Sequence, residues 1–158
     1  GGAITLTLSG GTIENVAGTT ALKAMHGTVI INGGSVVNKA DSAGYAIYAQ
    51  YTAKITVNGG SVENNAKASG WAIHGQAQGT NKPEITITGG KIVGAMMGIN
   101  SPKITATGGC FTVNPADYVP HDYKVVDNGD GTYTFQDVTL IENESFRSVN
   151  ISIFIVRK

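Results

Sequence analysis

The stretch ITVNGG (55–60) recurs along this chain in four variants, LTLSGG (6–11), VIINGG (29–34), ITITGG (85–90) and ITATGG (104–109). Each copy is an alternating apolar strand that ends in two glycines. The glycine pairs begin at residues 10, 33, 59, 89 and 108, so successive copies are separated by 23, 26, 30 and 19 residues. Repeats at a spacing of about 20–50 residues are typical of solenoids, in which one repeat forms one coil. The sequence therefore predicts an all-β solenoid.

Each repeat is predicted to contribute three short parallel strands. The first strand alternates with a period of two, which directs one set of side chains inward and the other outward. The corner that follows needs positive φ or a close backbone approach, and glycine allows both at little cost. The second strand follows at once. The residues predicted to point inward from these two strands are Leu6, Leu8, Ile13, Val29, Ile31, Val36, Ile55, Val57, Val62, Ile85, Ile87, Ile92, Ile104, Ala106 and Phe111.

The third strand is predicted in the segments ALKA (21–24), AIYA (46–49), AIHG (72–75) and AMMG (95–98). Its core residues are predicted to be Leu22, Ile47, Ile73 and Met96, and its surface residues Lys23, Tyr48, His74 and Met97.

The corner before the third strand carries asparagine at equivalent positions of three repeats, Asn15, Asn38 and Asn64. Asparagine tolerates the left-handed conformation, and stacked asparagines can bond to one another. We expect a hydrogen-bonded ladder along this corner.

The repeats end near residue 115, where the composition changes. Two β-prone runs, YKVV (123–126) and TYTF (132–135), flank the turn DNGDG (127–131), which predicts a β-hairpin. Such a hairpin can cover the exposed edge of the last coil. The predicted organisation is therefore coils at 1–115, a loop and hairpin cap at 116–137, and a strand-like tail at 138–158, to which the sequence assigns no role.

Composition limits the function classes. The chain has 22 glycines, 14% charged residues against an ordinary share of about 25%, and a formal net charge of zero. Nucleic-acid binding is not expected without a basic patch. No apolar run is long enough for a membrane span, and the start of the chain does not resemble a signal peptide. Because the chain starts in mid-repeat, we expect a piece of a longer protein, with self-association through an open coil edge as a possible consequence.

The repeats resemble those of right-handed parallel β-helices of the pectin-lyase-like superfamily. The segment GGCFTVNPADYVPHDYKVVDNGDGTYTF (108–135) is similar to the end of β-helix domains in large surface proteins of Gram-positive gut bacteria. The resemblance covers about residues 3–135. It implies a right-handed parallel β-helix of about five coils in an extracellular setting, secreted or on the cell surface, acting in adhesion, in glycan binding or as a structural stalk.

Enzymes of that superfamily gather several aspartates on one strand face, and the lyases add an arginine or lysine base. Here the repeats contain four acidic residues, Glu14, Asp41, Glu63 and Glu84, and no arginine precedes Arg147. Glu14 and Glu63 are predicted to share a column two coils apart, about 9.6 Å by the strand spacing. That is near the upper end of the inverting-glycosidase range, about 6.5–9.5 Å. The sequence favours a non-catalytic module with no catalytic residue assigned, and leaves a polysaccharide lyase or glycoside hydrolase fragment as the alternative.

Four ring-bearing residues, Tyr45, Tyr48, Trp71 and His74, occupy equivalent segments of neighbouring repeats. Aromatic rings at solenoid spacing can stack on sugars, which are apolar above the ring and polar at its rim. The alternative is that Tyr45 and Trp71 only cover the core at a corner. We predict that the four residues form a ligand-binding site for a polysaccharide or host glycan.

Residue patterns also bear on ice binding and on metal binding. The outward Thr-x-Thr and Thr-x-Asn pairs resemble the threonine arrays of ice-binding solenoids, although Ile30 interrupts the file and Asn32 and Asn58 replace threonine. Ice binding is therefore a weaker alternative. No metal site is predicted, because His26, His74 and His121 lie in different segments, and no cofactor is expected.

Overall fold

The computed structural model describes residues 4–66 and 69–138. These residues form an all-β structure with three parallel sheets, and an antiparallel hairpin extends one of them. The alternating runs predicted in the tail at 138–158 lie, apart from residue 138, outside the described residues.

The chain visits the three sheets in turn, so strands adjacent in a sheet are usually three apart in sequence. The first sheet contains β1 (Thr5–Leu8), β4 (Thr28–Ile31), β7 (Lys54–Val57), β10 (Glu84–Ile87) and β13 (Lys103–Ala106). The second contains β2 (Thr12–Asn15), β5 (Ser35–Asn38), β8 (Ser61–Asn64), β11 (Lys91–Val93) and β14 (Cys110–Phe111). The third contains β3 (Thr20–Ala24), β6 (Tyr45–Gln50), β9 (Trp71–Gln76) and β12 (Met96–Ile99).

The register stacks equivalent residues of successive repeats on one another. In the first sheet, Ile85 pairs with Ile55 on one side and with Ile104 on the other. The predicted inward columns form the core, with Ile31, Val57 and Ile87 fully buried. Leu6 differs, because β1 pairs with β4 alone among the described strands, and its side chain is 43% exposed.

The two glycines of each corner share one steric demand, and the second meets another as well. The second glycine of every pair has positive φ, between 72° and 103° at Gly11, Gly34, Gly60, Gly90 and Gly109. Both glycines pack on the preceding repeat: a Cβ would lie 2.2–2.7 Å from a carbonyl oxygen at Gly33, Gly59, Gly89 and Gly108, and 2.4–2.9 Å from one at Gly34, Gly60, Gly90 and Gly109. The pair is therefore required both by backbone conformation and by the closeness of stacked corners.

The predicted asparagine ladder is confirmed. The Asn15 amide donates to the Asn38 side-chain oxygen at 2.6 Å, and the Asn38 amide donates to that of Asn64 at 2.9 Å. Asn38 is fully buried. Its hydrogen bonds along the column offset the cost of removing an amide from water.

The predicted C-terminal hairpin is also confirmed. Strands β15 (Tyr123–Asp127) and β16 (Tyr133–Asp137) pair antiparallel, and β16 joins the second sheet where Tyr133 pairs with Phe111. The Phe135 ring packs edge-on against buried Phe111 at 5.4 Å between centroids. The hairpin therefore covers apolar side chains at the β14 edge of the core.

Candidate aromatic binding site

The four predicted site residues lie together on the third sheet. Tyr45 pairs in register with Trp71, and Tyr48 pairs with His74. Two adjacent columns of rings thus span β6 and β9. We call the partly exposed rings of Tyr45, Tyr48 and Trp71 the aromatic surface.

The two columns lie side by side because the in-out alternation shifts within each strand. Two successive residues, Ala46 and Ile47, are both buried in β6, and Ala72 and Ile73 are both buried in β9. As a result Tyr45 and Tyr48, three residues apart, are both partly exposed. Strict alternation would have placed them on opposite faces of the sheet.

The rings of the aromatic surface contact one another closely. Tyr45 stacks on Trp71 with 5.7 Å between centroids and an interplanar angle of 17°. The centroid of Tyr48 lies 5.0 Å from that of Tyr45. These separations fall in the range of favourable aromatic pairs. Ring contacts fix the orientation of each side chain, so a flat ligand would meet a largely preorganised surface.

His74 lies beneath this surface, which corrects its predicted exposure. The residue is 3% exposed, and its ring centroid lies 4.7 Å from that of Tyr45, 5.0 Å from Tyr48 and 5.5 Å from Trp71. Its Nδ1 atom is buried without a hydrogen-bond partner. Burial lowers the pKa of His74, because the imidazolium form would lose hydration there. His74 therefore supports the exposed rings and does not itself offer a contact surface.

A polar rim that the sequence analysis did not identify borders the tyrosines. The Gln76 side-chain oxygen accepts hydrogen bonds from the Tyr48 hydroxyl and from the Gln50 amide, the latter at 3.0 Å. On the other side of Tyr48, the Lys23 ammonium lies 5.5 Å from the ring centroid in a cation–π contact. The equivalent positions of Gln50 and Gln76 in successive repeats were the available sequence signal.

A second ring pair lies at the corner after β6. His26 stacks on Tyr51 with 5.2 Å between centroids, and its Nδ1 atom lies 2.9 Å from the Thr52 hydroxyl. The sequence pointed to His26 only as a metal ligand, and this pair was not predicted, although His26 and Tyr51 each lie two residues after the paired positions Ala24 and Ala49.

The two glutamates of the enzyme alternative occupy the predicted column. Glu14 and Glu63 flank Val37 in the second sheet, one strand to each side. The Glu14 carboxylate pairs with the Lys39 ammonium at 2.8 Å, and that of Glu63 accepts a hydrogen bond from Asn65 at 3.0 Å. Val37 between them is buried. The two carboxylates are thus separated by an apolar residue and engaged with different partners.

Residues 4–66 and 69–138 contain no cluster of three His, Cys, Asp or Glu side chains able to hold a metal ion. Within the same ranges, no helix has the length and apolar character needed to cross a membrane.

In the first sheet, Ile30 interrupts the outward-facing row of Thr7, Thr56, Thr86 and Thr105, as the sequence indicated.

Comparison with known protein families, with curated proteins and with solved structures finds no match to this chain.

The lowered pKa of His74 predicts a loss of stability on acidification. A histidine in the unfolded chain has a pKa of about 6.5. Above that pH the side chain of residue 74 is neutral in both the folded and the unfolded state, so it does not make the free energy of unfolding depend on pH. As the pH falls below that value, the unfolded chain binds a proton that the folded chain does not, so the free energy of unfolding decreases until the folded pKa is reached. Melting temperatures measured from pH 7.5 to 5 should decrease more in the wild type than in His74→Leu. Equal slopes in the two proteins would contradict the prediction.

Proposed function

We propose that this chain is a right-handed parallel β-helix of about five coils, similar to the pectin-lyase-like superfamily, from an extracellular bacterial surface protein. It binds glycans without cleaving them. The observation that carries the proposal is the set of partly exposed, mutually stacked rings of Tyr45, Tyr48 and Trp71 on the third sheet.

The chemistry of this surface suits a sugar ring. A pyranose presents C–H groups on its faces and hydroxyls at its rim, and aromatic side chains offer apolar faces of matching size. Beside the tyrosines, the partly exposed Gln76 lies at the edge of the rings, and its side-chain oxygen is held by the Tyr48 hydroxyl and by the amide of buried Gln50. Apolar faces with a few placed polar groups are typical of small-molecule sites.

The arrangement of the acidic residues favours binding over catalysis. A glycosidase needs two carboxyl groups facing one bond, one of them free to act as acid. Glu14 is paired with Lys39, Glu63 accepts a hydrogen bond from Asn65, and buried Val37 lies between the two glutamates. The enzyme alternative is that the chain is a fragment of a polysaccharide lyase or glycoside hydrolase. Release of unsaturated or reducing sugars from a pectin-like polymer would establish that alternative.

Binding is tested by substitution within the aromatic surface. Trp71→Ala and Tyr48→Ala should each lower glycan affinity by about 1–3 kcal/mol, the loss expected for one aromatic contact and its buried area. A glycan array followed by titration calorimetry would measure this. Circular dichroism of each variant would separate a lost contact from a lost fold.

Two variants serve as controls for the binding test. Glu14→Gln and Glu63→Gln should leave glycan affinity nearly unchanged, because neither residue belongs to the aromatic surface. If these changes abolished binding while Trp71→Ala did not, the site would lie on the second sheet and the proposal would be wrong. Absence of any glycan binding would favour a structural stalk.

Self-association is a second proposed property, supported by the outermost described strands. β1, β2 and β3 each pair with a single strand, and Ile4, Leu6, Val16 and Met25 near them are exposed. Unpaired strand edges with apolar side chains favour association with another edge. Sedimentation velocity over a range of concentrations would reveal such association, and a constant monomer mass would exclude it.

A further inference from the structure

Counted between paired positions, the connection from β6 to β7 contains one residue more than the connection from β3 to β4. Ala24 pairs with Ala49 and Thr28 pairs with Lys54. Three residues separate Ala24 from Thr28, and four separate Ala49 from Lys54. Tyr51 lies in this longer corner and has a φ of 50°. A bulky residue rarely adopts this strained conformation, which persists where the surrounding structure enforces it.

The unusual backbone places the Tyr51 ring against His26 of the preceding repeat. The rings are 5.2 Å apart at an angle of 29°, and the Thr52 hydroxyl lies 2.9 Å from the His26 Nδ1 atom. The imidazole is thus held between a ring and a hydroxyl group while its residue remains exposed. An exposed ring held on two sides is preorganised for contact.

This corner continues the aromatic surface. Tyr51 follows Tyr48 by three residues, and burial together with the neighbouring Tyr45 and Tyr51 phenols raises the pKa of Tyr48. Tyr45 is the first residue of β6 and Tyr51 directly follows its last residue, so the two lie at opposite ends of a six-residue strand. A rise of about 3.3 Å per residue limits their separation to about 20 Å.

The polar groups around these rings indicate the charge of the ligand. The strands of the third sheet and the corners after β3 and β6, residues 20–27, 45–53, 71–77 and 96–99, contain no aspartate or glutamate and a single lysine, Lys23. The described charged residues of the other bordering corners are Lys39, Asp41 and Lys82. Lys23 already contacts Tyr48. Hydroxyl, amide and imidazole groups therefore predominate at the rim of the rings, and they pair with sugar hydroxyls without requiring a charge.

We infer that His26 and Tyr51 form a further subsite of the aromatic surface, and that the surface binds a linear, uncharged polysaccharide chain along β6. This inference rests on the proposed glycan binding and specifies its ligand. A chain that spans both ring groups gains contacts with each added sugar until the surface is covered. A terminal mono- or disaccharide would reach one group alone.

Titration calorimetry with cello- and xylo-oligosaccharides, from dimer to hexamer, tests the inference. Affinity for at least one series should rise by tenfold or more from dimer to hexamer. Tyr51→Gly should lower hexamer affinity roughly tenfold and leave dimer affinity unchanged, and His26→Ala should act in the same direction. Glycine is the informative replacement at residue 51, because it removes the ring and accepts the positive φ.

Lys91→Ala on the second sheet is the matched surface control and should bind every oligosaccharide as the wild type does. Two results would overturn the subsite at His26 and Tyr51: equal affinity of the wild type for dimer and hexamer, or unchanged hexamer affinity in Tyr51→Gly. Neither result would contradict glycan binding at the aromatic surface. If the protein bound only carboxylated polymers such as polygalacturonate, the inference that the ligand is uncharged would be wrong. If the wild type bound no glycan, both proposals would fail.

Discussion

Replacing Ile85 by aspartate is expected to unfold the repeat structure. The Ile85 side chain is 1% exposed and stacks between Ile55 and Ile104 in the first sheet. A carboxylate at this position would lose its hydration without gaining a partner, and adjacent coils would lose their contact through the core. The free energy of unfolding should fall by on the order of 4–5 kcal/mol or more. Thermal melts followed by circular dichroism would measure the loss.

The next residue along the same strand provides the control. Thr86 is exposed, and its side chain points away from the core. Thr86→Asp should change stability by about 0.5 kcal/mol or less, as surface substitutions usually do. A larger loss in Thr86→Asp than in Ile85→Asp would reverse the inward and outward assignment of β10.

Replacing Gly89 by alanine is the second change with a large expected effect. A Cβ at this position would lie 2.3 Å from the carbonyl oxygen of Asn58 in the preceding repeat. Because the contact involves backbone atoms that belong to stacked corners, the corners must separate to admit a methyl group. We expect a loss of about 1–3 kcal/mol or more, the usual cost of overpacking. Chemical denaturation of the two proteins would measure it.

Gly10 occupies the same place in the first glycine pair and gives a matched comparison. A Cβ at Gly10 meets no atom within 4 Å, so Gly10→Ala should be nearly neutral or slightly stabilising. Similar losses in both variants would mean that backbone flexibility, and not the closeness of stacked repeats, explains the first glycine of each pair.

The glycine pairs also separate what is local from what is long-range. The recurring Gly-Gly pairs predicted the corners and their two steric demands; in the structure only the second residue has positive φ, and both residues pack closely in the later pairs. How closely each glycine packs depends on the approach of the preceding repeat. That approach is a long-range contact and leaves no separate mark in a single repeat.

The sequence predicted which four ring-bearing residues lie together, but it did not predict the exposure of each one. Equivalent positions in successive repeats brought Tyr45, Tyr48, Trp71 and His74 together as expected. The predicted exposure of His74 was wrong, because three neighbouring rings cover it. Strand alternation specifies the face on which a side chain lies, whereas its exposure depends on the size of the side chains around it.

The sequence by itself determined the repeat, the three parallel strands, the inward columns and the asparagine ladder. Parallel pairing in register places equivalent residues on one another, so a pattern repeated along the chain becomes a column in space. Only the tertiary structure decided which outward residues are covered and which side chains meet at the corners. The stacking of Tyr51 on His26 is an example, because Tyr51 has a left-handed backbone that the pattern of a single repeat does not predict.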